Sequence, residues 1–212
     1  MKYSVLVFFI FISTVPVLAQ PVEVESNLGN NKFGITSFIR GTFGPEDAYQ
    51  FVNISIYEMY HTEDLEQFNG NVSHTYLYRN VTPSTAAGAA LSYIDVLGYI
   101  PKGAFQYVLA TDQLFISMEP ALGYHEGDMM PELVLTSRYS IPVASDQAIQ
   151  AEFQSVNLFR GQDFDHARSF QNFKLGYLYG NVDFGFSTKI NHYGPNRDGA
   201  WNSGGYLRYQ LF

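Results

Sequence analysis

Hydrophobic and polar residues alternate along most of the chain, in runs of roughly ten residues separated by turn-forming residues. The pattern is sharpest over 182–192. There Val182, Phe184, Phe186 and Ile190 share one face, and Asp183, Gly185, Ser187, Lys189 and Asn191 share the other. Period two predicts strands over 22–25, 33–43, 49–60, 72–80, 85–95, 102–110, 113–124, 131–141, 147–159, 169–179, 182–192 and 203–212. The alanine-rich run at 85–95 also suits a helix, because alanine is the best helix former. Gly88 inside it and Pro83 before it favour a strand. Pro120 within 113–124 predicts a bulge.

The connections sort into two kinds. Tight ones at 44–48, 80–84, 111–112, 141–146 and 179–181 fall at one end of the strands, and longer ones at 61–71, 96–101, 125–130, 159–167 and 193–202 at the other. Ten-residue alternating strands with short turns at one end and long loops at the other characterise transmembrane β-barrels. The expected fold is therefore all-β: an antiparallel up-and-down transmembrane β-barrel. An even strand number is required, which gives 12 strands with 10 as the alternative. A secreted β-sandwich is the competing architecture. No run beyond residue 20 reaches the 18 apolar residues of a membrane helix.

The first residues fit export. Lys2 precedes an apolar core at 5–12, and Val17-Leu18-Ala19 offers a small-residue cleavage site, so 1–19 is expected to be a signal peptide. Residue 20 is Gln rather than Cys, which argues against a lipid anchor. The mature chain, 20–212, is expected to form a single barrel domain. The last stretch, SGGYLRYQLF, alternates Leu207, Tyr209 and Leu211 with Tyr206, Arg208 and Gln210. It resembles the C-terminal signal strand of Gram-negative outer-membrane β-barrels. That resemblance implies location in the outer membrane, contact with its lipid, and recognition by the barrel-assembly machinery.

Cysteine is absent, so no disulfide framework is available. Loss of Lys2 with the leader takes 12 basic residues to 11 against 20 acidic ones, a net charge of −9. Nucleic-acid binding asks for the opposite sign. Where the charges sit matters more. An Arg or Lys facing the bilayer midplane costs roughly 2–4 kcal/mol, so apolar faces are assigned to lipid and the others to the lumen. This sends Val52, Ile54 and Ile56 outward against Asn53, Ser55 and Tyr57, and Tyr76 and Tyr78 outward against Ser73, Thr75 and Arg79. The lumen is then expected to hold Arg40, Arg79, Arg138, Lys174, Lys189 and Arg208 against Glu119, Glu132, Glu152 and Asp183. Tyr60, Tyr76, Tyr78, Tyr93, Tyr107, Tyr124, Tyr139, Tyr177, Tyr179 and Tyr209 are expected on the lipid face, mostly near strand ends as interfacial girdles. Only Tyr57, Phe115 and Tyr206 are expected as lumenal aromatics.

A mildly cationic wall favours anions. The expected function is a narrow passive channel for small, anionic solutes or oligosaccharides. The alternative is a closed structural or adhesion barrel whose lumenal charges pair and plug it, since buried charges must be paired. In strand number and lumenal charge the chain resembles the small oligogalacturonate-specific porins, which pass acidic oligosaccharides. A third class, a lipid-modifying enzyme, is suggested by residues 190–196, INHYGPN, which resemble the late His-bearing segment of lipid A deacylases. Those enzymes carry a Ser two residues after the His, whereas His192 is followed there by Gly194. No catalytic set is therefore expected. Asp163, Asp165 and His166 match no metal-binding spacing and suit a solvated acidic loop. No cofactor motif is present.

Overall fold

The computed structural model describes residues 22–61, 70–95, 97–196 and 198–211. The expected signal peptide and most of the 61–71 loop lie outside the described residues. β1 (Val22–Gly29), β2 (Lys32–Phe43), β3 (Tyr49–Tyr60), β4 (Gly70–Thr82), β5 (Thr85–Ile94) and β6 (Gly98–Ala110) make one half of the sheet. β7 (Leu114–His125), β8 (Asp128–Ala144), β9 (Gln147–Arg160), β10 (Asp165–Tyr179), β11 (Val182–Tyr193) and β12 (Asp198–Leu211) make the other. Each strand pairs antiparallel with its neighbours in sequence, and β1 pairs with β12 from Val22↔Leu211 to Gly29↔Gly204. The barrel is closed, so no strand edge is left unpaired, and closure removes the main liability of an isolated sheet.

Several strands run beyond the alternating segments that predict them. β1 continues to Gly29, β10 begins at Asp165 and β12 at Asp198. Antiparallel pairing supplies the reason: a strand extends as long as its neighbour offers a ladder, whatever its own hydropathy. The connections at the loop end shrink accordingly, to 30–31 between β1 and β2 and 126–127 between β7 and β8. Pro120 makes no bulge. The β6–β7 register is the same on both sides of it, Ala104↔Ala121 and Tyr107↔Met118, with the ladder interrupted between them. Proline lacks the N–H but not the extended backbone. Bulges occur instead at Asn80/Thr82, Pro142/Ala144 and His166/Arg168.

Glycine is required at the seam. A Cβ on Gly204 would stand 2.1 Å from the Leu28 carbonyl oxygen, so only glycine lets β12 approach β1 there.

The outward face is apolar except over β3 and β4. Phe105, Leu122, Leu133, Phe173, Phe184, Phe186 and Leu207 are exposed in its middle. Tyr99, Tyr124 and Trp201 are exposed near the loop end, and Tyr49, Tyr107, Tyr139, Tyr179 and Tyr209 near the turn end. An apolar band between two aromatic girdles is the outer surface of a membrane-spanning barrel.

Candidate functional site

The interior has two unlike walls. One is built by β8 to β12 and β1, and its charges alternate in sign from strand to strand. Arg138 on β8 lies opposite Glu152 on β9, and Glu152 opposite Lys174 on β10. Asp183 on β11 lies opposite Arg208 on β12, and Arg208 opposite Glu25 on β1. Directly paired residues share a face, so register alone juxtaposes opposite charges.

The side chains also join across these rows. The Arg208 guanidinium donates to Glu25 at 2.8 Å and to Glu152 at 2.9 Å, and lies 3.5 Å from Asp183. The Lys174 ammonium donates to the same two glutamates, at 2.7 and 2.9 Å. Arg138 donates to Glu152 at 2.9 Å and reaches Glu23 at 3.4 Å. The Tyr206 hydroxyl donates to Asp183 at 2.9 Å. Glu25, Glu152, Lys174 and Arg208 side chains are each below 10% exposed. A second ionic cluster sits nearer the loop end. There Lys32 and Lys189 each donate to Glu58 at 2.6 Å, and Arg168 lies 3.6 Å from it.

The other wall, from β3 to β7, is packed like a soluble core. Val52, Ile54, Ile56, Tyr76, Tyr78, Ala86, Ala90, Ala104 and Ala121 of this wall form one buried cluster with Phe170 reaching across from β10. The Tyr76 and Tyr78 rings stack with centroids 5.5 Å apart. The alanines of β5, β6 and β7 leave the room those rings occupy, a large-against-small fit. Tyr76 bonds Glu132 at 3.3 Å, and Glu132 accepts from Lys102 at 2.7 Å, so the aromatic packing ends on an ion pair. Nearer the loop end Val72, Ile94, Ile100, Met130 and Leu158 form a second apolar cluster. A cavity of about 230 Å³ remains between the walls in the turn-end half. In the loop-end half the cavity beside Phe170 and Lys189 holds only about 20 Å³.

Of the residues named from sequence, Arg138, Glu152, Lys174, Asp183 and Arg208 meet in one network. Lys189 belongs to the Glu58 cluster and Glu132 to the Lys102 pair. Glu119 accepts from Gln106 at 3.0 Å and Ser117 at 2.8 Å, and Arg40 donates to Gln50 at 3.0 Å.

Arg79 does not line the interior. It is exposed and lies opposite Tyr49, which is itself exposed on the outer surface. The cause is an inversion of two strands. Val52, Ile54, Ile56, Tyr76 and Tyr78 point inward, and Tyr57, 49% exposed, points outward. Tyr60 is buried on the inward side as well. Near the turn end Arg79 can extend its guanidinium toward the headgroups.

Sequence reasoning missed Glu23, Glu25, Lys32, Glu58, Lys102 and Arg168. Glu23 and Glu25 alternate with Val22 and Val24, and Lys102 shares parity with Gln106, so period two carried the signal in those three. Glu58 was hidden by the inverted facing of β3.

No protein-family model and no curated protein matches the sequence. Solved structures do match the fold. The NanC porin superposes with a TM-score of 0.56 at 10% identity, covering 90% of this chain and 99% of that one. The fold is the closed antiparallel β-barrel that the NanC porin also has. The KdgM porin, solved in complex with disordered oligogalacturonate, aligns over 91% of this chain and 98% of its own at 10% identity, with a TM-score of 0.49. Two residues after His192 stands Gly194, which has no side chain. His166 bonds Ser169 and the Gly194 carbonyl, at 2.9 and 2.7 Å.

Proposed function

We propose that the protein is an outer-membrane channel of the porin type for small solutes, shut at rest by its own interior side chains. The observation that supports this most is the charged wall. A polar, ion-paired face runs through the middle of a barrel whose outside is apolar. Such a face is costly to bury and is the usual lining of an aqueous path. Twelve strands leave room for a slender lumen. Here Glu25, Glu152, Lys174 and Arg208 close it from one side, and Tyr76 and Tyr78 from the other. Opening requires that the ion pairs exchange partners or take up water, and that the loop-end cluster of Val72, Ile94, Ile100, Met130 and Leu158 loosens.

Charge selectivity is modest in this reading. Glu23, Glu25 and Glu58 offset much of the basic surplus, and Arg79 does not contribute to it. Anions are favoured over cations by a small factor, through Arg40. It donates to the neutral Gln50, and it has no carboxylate within 4 Å among the described residues.

The competing reading, a closed structural barrel, draws support from the apolar packing around Tyr76 and Met130. Planar-bilayer recordings under a salt gradient separate the two. The channel reading expects small, intermittent current steps with a reversal potential on the anion side. A folded barrel that never conducts would establish the structural reading, and a clear cation preference would remove the assignment of Arg40.

A further inference from the structure

We infer that the turn-end cavity is a binding site for a small monocarboxylate with an apolar body, its carboxylate on Arg40. The inference rests on the channel reading only in requiring that solutes reach the lumen from one end. The cavity, about 230 Å³, lies where the two walls face each other. Phe38, Val52, Ile54, Phe115 and Val134 supply an apolar side broad enough for an alkyl or aryl group.

Charge on the opposite side is mostly committed. Arg138, Lys174 and Arg208 are each held by carboxylates within hydrogen-bonding distance. Arg40 lines the same cavity, and its Nη2 donates to the Gln50 side-chain oxygen at 3.0 Å. The Gln50 amide is itself oriented by donating to the Asn80 side-chain oxygen. A guanidinium has five donors in a rigid fork, so most of this one remains for a ligand. A carboxylate is the acceptor that matches the fork in charge and shape.

Glu119 lines the cavity too, and would attract an amine instead. It is only 7% exposed, with one oxygen held by Gln106 and Ser117 and the other buried out of reach of solvent. Arg138 and Glu23 are partly accessible in the same cavity but bond each other, whereas the partly accessible Arg40 has no carboxylate within 4 Å among the described residues. This makes the site selective by setting Arg40, bonded only to a neutral side chain among the described residues, against an apolar wall, rather than by a ladder of basic residues.

The full barrel, refolded in detergent, tests this by calorimetry with 3-phenylpropionate, 3-phenylpropanol and phenethylamine, with no current measured. Only 3-phenylpropionate is expected to bind. Arg40→Gln is expected to weaken it about ten- to a hundredfold, the worth of a hydrogen bond to a charged group. Arg79→Gln, on the outer surface, is expected to leave it unchanged. Ile54→Trp is expected to abolish binding by filling the cavity, while heat-modifiable migration reports that each variant is folded. Equal binding of the alcohol or the amine, or full binding by folded Arg40→Gln, would overturn the site. Because binding needs no current, a barrel that binds but never conducts removes the channel reading and keeps the site. One that conducts without binding does the reverse.

Discussion

The two walls of the lumen solve the same problem by opposite means. From β8 round to β1, the interior is filled by charges that cancel across neighbouring strands, as in Arg138–Glu152–Lys174 and Asp183–Arg208–Glu25. From β3 to β7, it is filled by tyrosines lying over alanines, with Val52, Ile54 and Ile56 beside them. Paired charges are strong only in company, because each partner has been taken out of water. Packed rings are held by many weak contacts that fail one at a time. A barrel with one wall of each kind has a side that can admit water and a side that resists it, and in the proposed channel the gate belongs to the first.

The comparison sets an order of effects for substitution. Arg208→Met leaves Glu25, Glu152 and Asp183 without their common cation, and is expected to cost about 3–5 kcal/mol in urea unfolding from lipid vesicles. The double variant R208M/E152M should recover much of that loss, whereas additive losses would mean that the network is not a unit. Tyr76→Ala empties the packed wall. It is expected to cost about 3 kcal/mol, the lower end for losing a buried ring, because lumenal water can enter the space. Ala90→Leu crowds the same wall and should cost about 1–3 kcal/mol, with no change in ion selectivity. The smallest effect belongs to Arg79→Gln, expected to stay within about 0.5 kcal/mol of the parent in the same unfolding experiment and to leave conductance unaltered. A large change in Arg79→Gln would put that guanidinium back in the lumen and undo the contrast between the walls.

The same contrast explains what could be read from the chain alone. Alternation gave the strand number, the closure and the correct facing of β7 to β12, because in those strands one face is apolar and the other carries Glu119, Glu152, Lys174 or Asp183. Hydrophobicity separates lipid from lumen only where the lumen is polar. In β3 and β4 both faces hold apolar or aromatic residues, so the rule that sends aliphatics to lipid put Val52 and Tyr76 on the wrong side. The outward face of that region is unusually polar for a membrane surface. Asn53, Ser55, Ser73 and Thr75 lie there and satisfy one another, with Asn53 donating to Thr75 at 2.9 Å and Ser55 and Ser73 3.0 Å apart. That mutual bonding is invisible in one strand at a time. Register reveals it, since Ser55 lies opposite Ser73 and Asn53 opposite Thr75. The ionic network was half legible for a related reason. Its members on β8 to β12 stood out by parity, while Glu23 and Glu25 sit in a first strand expected only over 22–25, which pairing with β12 extends to Gly29.

Single-channel recording of the parent beside R208M/E152M tests the central claim most directly, namely that a solute path runs along the charged wall and is closed by its ion pairs. The prediction is rare, small steps from the parent and larger, longer-lived steps from the double variant, with Ala90→Leu resembling the parent. Silence from both barrels, when each is shown to be folded in the bilayer, would contradict it.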